Sequence, residues 1–431
     1  MTSPYYADNL VTLHHGDCLA VLRDMPDNSV DAIVTDPPYG LSNTGPDKVA
    51  DTIVRWANGE RDHVPEGRGF MGRPWDAFVP PPAVWDECLR VLKPGGHMLV
   101  FAGSRTQDLM GLSIRLAGFE LRDSLAWIYG SGFPKSMDVS KAIDKSAGAE
   151  REVVGRRVRL GDSTHYPTRG DSIFAGSETG NITAPATPEA ERWAGWGTAL
   201  KPAIEPVLCA RKPLTGTVAG NVLEWGTGAL NIDASRVGDG SGKTPAPKRR
   251  GDSASWFTTN DSANVGGDDS KGRWPANVLL DPEAAAAMDQ QSGVLKSGAW
   301  TPTERAQRGD VYGLGYKTSG ASASSEGGAS RFFHVFKYQA KAPKKERPVI
   351  EREDGTKVQH CTVKPLALTS WLVTLITPPG GVVLDPFAGS GTTLQAARDK
   401  GFRAIGVEAD ADHCELIVAR LSKDDGGLFA A

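Results

Sequence analysis

The sequence predicts an α/β protein with a mostly parallel sheet, on two observations. Short apolar runs of strand length alternate with helix-length amphipathic segments over residues 10–129 and again over 365–408, the pattern of consecutive βαβ units. Two of those runs stop abruptly in Pro- or Gly-shaped turns: 31–35 at Asp36-Pro37-Pro38-Tyr39, and 382–384 at Asp385-Pro386-Phe387-Ala388-Gly389-Ser390-Gly391-Thr392. Open parallel sheets bind ligands just beyond the carboxyl ends of their strands. One chain therefore offers two candidate site ends.

The elements follow in order. Residues 10–13 lead into Gly16-Asp17 as a strand and turn, 18–25 has helical spacing, and Ile33-Val34 closes a second strand at the tetrad. The polar, Gly-rich stretch 41–75 reads as a loop beside the site. Helical spacing over 85–92 stops at Lys93-Pro94-Gly95-Gly96, a strong breaker; 97–101 is then a strand, 106–116 a helix and 119–129 a strand. The alternation lapses at 145–192, where Arg151, Arg156, Arg157, Arg159 and Arg169 stand among Gly, Ser and Thr. Residues 204–210 read as one more strand. Residues 215–335 are irregular and read as loop-rich, partly disordered until bound. Regular pattern resumes with a helix at 365–376, a strand at 382–385, a helix at 392–399 and a strand at 404–408.

Bulk properties narrow the class. A chain of 431 residues with 39% apolar residues supports a core and more than one part, while 50 Gly and 29 Pro imply long loops. A net charge of −4 means that any nucleic-acid contact rests on local basic patches. The five cysteines (Cys18, Cys88, Cys209, Cys361, Cys414) form no CxxC pair, arguing for reduced thiols rather than disulfides or zinc. With no signal-peptide layout and no apolar run of membrane-spanning length, the expectation is a soluble, cytoplasmic protein.

The tetrad suits an exocyclic amino group. Two prolines fix the backbone and leave their carbonyls free as acceptors, and the ionised Asp36 adds another. Tyr39 offers a flat face for a heteroaromatic ring. Taken alone, the four residues are also compatible with an ordinary strand-to-loop turn. At the second turn, Gly389 and Gly391 allow tight turning and close ligand approach, and Thr392 opens a helix whose N–H groups point at a ligand. Glu408 ends the next strand about twenty residues on, where a carboxylate binds a ribose diol. The three-glycine dinucleotide spacing is absent. Phe387 instead places an aromatic ring where a cationic sulfonium would sit, so S-adenosylmethionine fits better than a nicotinamide cofactor.

At this point the residues resemble the amino-methylating DNA methyltransferases. Asp36-Pro37-Pro38-Tyr39 is similar to their catalytic motif and Phe387-Ala388-Gly389-Ser390-Gly391 to their cofactor motif. Catalytic first and cofactor last is the order of the permuted β-group. Gly16-Asp17 resembles the acidic turn that contacts the cofactor's adenine, with Cys18 beside it. Val91-Leu92-Lys93-Pro94-Gly95-Gly96 resembles the helix-to-strand breaker of the fold, and His360-Cys361-Thr362-Val363-Lys364-Pro365 the His-Pro-Thr-Val-Lys-Pro stretch before the cofactor strand. Two departures stand out: Cys361 where the family has Pro, and Ile204 of Lys201-Pro202-Ala203-Ile204-Glu205-Pro206 where it often has His.

The resemblance implies a Rossmann-like, circularly permuted, S-adenosylmethionine-dependent methyltransferase sheet with an inserted irregular target-recognition region. Its parts are expected at 1–144 (catalytic half), 145–192 (basic loop-rich insertion), 193–214 (return to the sheet), 215–335 (target recognition) and 336–431 (cofactor half). It implies catalytic roles for Asp36, Pro37, Pro38 and Tyr39. Cofactor roles fall to Asp17, Cys18, Lys364, Asp385, Phe387, Ala388, Gly389, Ser390, Gly391, Thr392 and Glu408, with no metal. The implied reaction is site-specific transfer to N6 of a flipped-out adenine in double-stranded DNA. Asp in the first tetrad position is associated with adenine and Ser with cytosine N4; RNA or a protein amide are the remaining alternatives. A cognate restriction endonuclease and a homodimer are the further partners it suggests. Carbon methylation needs a nucleophilic thiol, and no cysteine follows a proline as that family's nucleophile does. The basic and aromatic stretch from Arg331-Phe332-Phe333 through Lys337, Lys341, Lys344, Lys345 and Arg347 is a candidate DNA contact.

Overall fold

The computed structural model describes residues 3–42, 44–67, 69, 74–130, 132, 136–156, 181–238, 272–297, 325–336, 348–352, 354–360 and 362–422. They fall into two compact units, Met1–Ser131 with Ile204–Ala431, and Gly132–Ala203. The first stretch contains β1 (Tyr6–Ala7), β2 (Val11–His15), α1 (Cys18–Asp24), β3 (Val30–Thr35), α2 (Pro46–Ala57), α3 (Pro82–Val91), β4 (Leu92–Phe101), α4 (Gln107–Leu116) and β5 (Glu120–Ile128). The smaller unit holds α5 (Val139–Ser146), the antiparallel pair β6 (Val153–Arg156) and β7 (Asn181–Thr183), and α6 (Pro188–Arg192). The larger unit resumes with β8 (Ile204–Arg211), α7 (Val218–Trp225), β9 (Val278–Leu280) and α8 (Pro282–Ser292). Next come β10 (Leu295–Ser297), β11 (Ser325–Gly327), β12 (His334–Val335), β13 (Val349–Glu351) and β14 (Lys357–Gln359). The chain closes with α9 (Leu366–Ile376), β15 (Val382–Asp385), α10 (Thr392–Asp399), β16 (Arg403–Glu408) and α11 (Ala411–Leu421).

Ten strands form the main sheet in the order β1-β2-β16-β15-β3-β4-β8-β5-β9-β12. All pairings are parallel except the edge strand β1 on β2 and the reversed strand β8 between β4 and β5. The last strands of the chain, β15 and β16, thus lie in the middle of the sheet, between β2 and β3. This is the permutation that the motif order predicts. Neighbouring strand residues face opposite layers: Ala32, Val34, Leu99 and Phe101 pack with α9, α10 and α11, whereas Ile33, Met98 and Val100 pack with α1, α3 and α4. Helix α9 is apolar almost all round because it is sunk in that layer, with Leu368, Leu372 and Val373 fully buried.

Four local expectations change. Residues 41–75 contain the twelve-residue helix α2, opened by Pro46 and burying Thr52 and Trp56 on one face; its polar remainder hid the periodicity. Helix α3 stops at Val91, but Lys93-Pro94-Gly95-Gly96 lies inside β4 rather than before it, as an irregularity between the Val30–Leu92 and Ala32–His97 pairings. Gly95 takes φ +74°, and a Cβ there would meet the Asn221 side chain at 2.4 Å. In the irregular 215–335 stretch, β9 and β12 extend the sheet beside β5. The sheet resumes at Ile204 rather than 193, since 193–203 belong to the smaller unit. Within that unit Asp144 is buried, accepting from Thr187 N (3.0 Å), Thr187 Oγ1 (2.8 Å) and Arg151, which makes this arginine a structural one. Arg157, Arg159 and Arg169 lie outside the described residues.

Candidate active site

The parallel order brings the two strand-end turns side by side. β15 pairs with β3 through Val383–Ala32 and Leu384–Ile33, and Thr35 Oγ1 donates to Asp385 Oδ1 at 2.7 Å. A cavity of about 770 Å³ opens at this edge and reaches both turns, with Tyr39, Glu205 and Lys364 among its lining residues as well as Gly389 and Glu408.

The tetrad is rigid for identifiable reasons. Asp76, itself buried, accepts from Tyr39 N (2.8 Å) and Gly40 N (2.9 Å), and Thr106 Oγ1 donates to the Tyr39 carbonyl at 2.6 Å. Gly40 adopts φ +66°, and a Cβ there would lie 2.7 Å from Val79 N, so only glycine lets the chain leave the turn this way. The Tyr39 hydroxyl oxygen lies 2.7 Å from Asp36 Oδ1 and 2.6 Å from Glu205 Oε1. Lys364 Nζ is 3.0 Å from Asp36 Oδ2, 2.6 Å from Glu205 Oε1 and 2.9 Å from the Tyr39 hydroxyl. Burial pushes the Asp36 carboxyl up, with Lys364 opposing and Glu205 adding to the rise. Burial and the two carboxylates hold Tyr39 far above its usual range, as a neutral phenol. Burial alone would lower Lys364, but Asp36 and Glu205 keep it an ammonium.

The second turn has the geometry its glycines promise. Gly389 and Gly391 take φ +52° and +75°. A Cβ on Gly389 would sit 3.2 Å from His360 Nε2, and one on Gly391 3.0 Å from the Ile417 side chain. Glu408 Oε2 accepts from Gly389 N at 2.7 Å, and Oε1 from Asp410 N at 2.9 Å. Asp385 is pushed up to about 6 by burial, against the hydrogen bonds it accepts from Thr35, Thr393 and Phe387 N. Glycine turn, strand-end carboxylate and mixed polar–apolar lining together fit an adenosyl cofactor carrying an amino acid.

A family model described as DNA methylase matches residues 30–419. The chain belongs to the N6/N4 DNA methylase family. This DNA methylase is 22% identical over 434 residues to the type II methyltransferase M.HindIII of Haemophilus influenzae, covering 97% of each chain. It is 25% identical over 246 residues to M2.DpnII of Streptococcus pneumoniae, across 55% of this chain and 85% of that one. Among solved structures it is similar to the cytosine-N4-specific PvuII DNA methyltransferase (13% identity, TM-score 0.43, 99% and 91% covered). It is likewise similar to the M1.HpyAVI–SAM complex (13% identity, TM-score 0.39, 96% and 100% covered). As a DNA methylase it takes its methyl group from S-adenosylmethionine.

Most expected site residues line this cavity: Asp17, Cys18, the tetrad, Phe387, Gly389, Ser390 and Glu408 among them. Asp17 also caps α1, accepting from Ala20 N at 3.0 Å. Phe387 packs toward Trp85, with ring centroids 6.4 Å apart. Lys364 was expected in the cofactor set from its motif; its ammonium pairs with Asp36, Tyr39 and Glu205 and lies 4.8 Å from the Phe101 ring centroid. Cys18, Cys209 and Cys414 have thiols pushed up to about 12, chiefly by burial, and Cys88 is raised further. None of these four is a ready thiolate nucleophile; Cys361 lies outside the described residues. Arg331 stacks on Phe332 with 4.3 Å from guanidinium to ring centroid and Arg273 approaches the same ring at 5.1 Å, while residues 337–347 lie outside the described residues. The motif readings missed Glu205, Asp76 and Thr106. Glu205 stood next to the Ile204 departure, between Pro202 and Pro206, and that was its only signal. Asp76 and Thr106 had none.

Proposed function

We propose that the protein methylates N6 of adenine at specific sites in double-stranded DNA, acting on a base rotated out of the helix. The observation that carries this reading is the hydrogen-bonded adjacency of the Asp36 turn and the Asp385 turn at one cavity. An acceptor turn for an amino group and a glycine turn for a cofactor then share a single space. Asp36 and the Pro37 carbonyl hold the two amino hydrogens, which directs the nitrogen lone pair toward the cofactor side, and Tyr39 stacks on the base. Glu408 binds the ribose hydroxyls, Asp17 and Cys18 border the adenine, and the turn from Asp385 through Phe387, Ala388, Gly389, Ser390 and Gly391 to Thr392 surrounds the sulfonium and amino-acid portion. S-adenosylmethionine supplies an electrophilic methyl group, so alignment of the amine is the chain's main task, worth roughly 7–11 kcal/mol at best. Asp in the first tetrad position supports adenine over cytosine. Base reading is assigned to 215–335 outside its sheet strands.

Expression in a bacterium lacking DNA methylation, followed by single-molecule sequencing of its genome, tests the proposal. N6-methyladenine in a defined sequence context is the expected result. N4-methylcytosine would reassign the base, and an unmodified genome would overturn DNA methylation as the function of this chain.

A further inference from the structure

The Tyr39 hydroxyl has one proton, yet two carboxylate oxygens from different residues approach it to 2.7 and 2.6 Å. One of its lone pairs already accepts from Lys364 Nζ at 2.9 Å. One carboxyl receives the phenol proton; the other faces a lone pair at a distance that anion–oxygen repulsion does not permit, unless that carboxyl carries a proton itself. Charge counting leads to the same place. Asp36 and Glu205 bring two negative charges to one ammonium, with side chains only 26% and 16% exposed, and a single added proton makes the cluster neutral. Asp385, joined to Thr35, is a further acid coupled by charge to Asp36, and Asp76 accepts from backbone N–H groups.

We propose that Glu205 is a positioning residue for methyl transfer: it shares one proton with Asp36 through the Tyr39 hydroxyl and anchors Lys364. Entry of an amino group requires Asp36 as a bare acceptor. Its proton then passes to Tyr39, whose own proton passes to Glu205, while Lys364 keeps a partner. The negative charge thereby moves from Glu205 to Asp36 with the total charge of the cluster unchanged, and Lys364 stays hydrogen-bonded to the Glu205 oxygen at 2.6 Å instead of resting on Asp36 alone. Without Glu205, Lys364 binds Asp36 as a simple ion pair, and the incoming amine must compete with it. The inference rests on the amino-methylation reading for its purpose, but the shared proton is a property of the ligand-free protein.

Infrared spectroscopy of ligand-free protein with isotope-labelled carboxyls tests the shared proton directly. In mildly alkaline buffer, above the value of about 6 reached by Asp385, wild type should show one protonated carboxyl. Glu205→Gln and Asp36→Asn should each lose it, because one carboxylate against one ammonium ionises. Persistence of the band in either folded variant, or its absence from wild type, overturns the proposal. A second arm uses S-adenosylmethionine binding by calorimetry and single-turnover transfer to DNA. Glu205→Gln should bind the cofactor within about twofold of wild type and transfer roughly 100-fold more slowly, the scale of a misplaced reacting group. Transfer at the wild-type rate would sink the positioning role. Failure of wild type to methylate DNA would sink the amino-methylation reading instead and leave the infrared result standing.

Discussion

Asp385 sits where burial and function conflict, and replacing it with Asn turns that conflict into a measurable gain in stability. The carboxyl is 3% exposed and accepts from Thr35 Oγ1 (2.7 Å) and Phe387 N (3.1 Å). Burial lifts it from an ordinary 3.8 to about 6. At about 1.36 kcal/mol per pH unit, a native state that holds its proton so much more tightly than the unfolded chain is penalised by roughly 3 kcal/mol once the group must ionise. The sign follows from proton counting. Between about pH 4 and 6 the native state binds more protons than the unfolded state, so stability falls as pH rises and the full cost is present above about 6. Asn keeps an acceptor oxygen for Thr35 Oγ1 and Phe387 N, which share Oδ1, can donate its amide to the Thr393 hydroxyl, and never ionises. Asp385→Asn should therefore unfold at higher urea concentration than wild type at pH 8, by up to about 3 kcal/mol, with the difference shrinking toward zero near pH 4. Equilibrium urea unfolding at the two pH values is the assay. A variant less stable than wild type at pH 8, or a difference equal at both pH values, would refute the burial argument. A cofactor affinity lower than wild type would show that the strained carboxylate is kept for binding.

Other consequences are as direct. Asp36→Ala, which removes the amino-group acceptor, should cut single-turnover methylation by about 100-fold or more while leaving cofactor affinity, measured by calorimetry, within a few-fold. Gly389→Ala places a Cβ 3.2 Å from His360 Nε2 at φ +52°. It should cost roughly 1–2 kcal/mol of stability and weaken S-adenosylmethionine binding, read in the same titration. Asp76→Ala strips the acceptor from Tyr39 N and Gly40 N; a loss of roughly 1–3 kcal/mol in urea unfolding is expected, with a slower transfer step. If Asp76→Ala is as active and as stable as wild type, the tetrad does not need that clamp.

The sequence reading succeeded where the signal is local. Strand runs and breakers placed β3, β5, β15, β16, α9 and α10 to within two residues at each end, because alternating burial and Gly or Pro turns are properties of a few consecutive residues. Helix α2 escaped because its buried face is narrow, and the antiparallel direction of β8 is not encoded in its own apolar pattern. Short β9 and β12, three and two residues long, become strands only because β5 offers an edge to β9 and β9 in turn offers one to β12.

By itself the sequence determined the chemistry on offer: an acceptor turn ending one strand, a glycine turn ending another, and no cysteine directly after a proline. Tertiary structure decided which groups meet. Thr35 and Asp385 are 350 residues apart, Tyr39 and Lys364 325, and Tyr39 and Glu205 166. Backbone propensity couples only near neighbours, so nothing in the local pattern of residues 201–206 or 360–365 says that their charged groups close on one phenol. Packing β15 between β16 and β3, and reversing β8 beside β4, brings those carboxylates and the ammonium into one buried space. There the low dielectric makes their mutual balance compulsory.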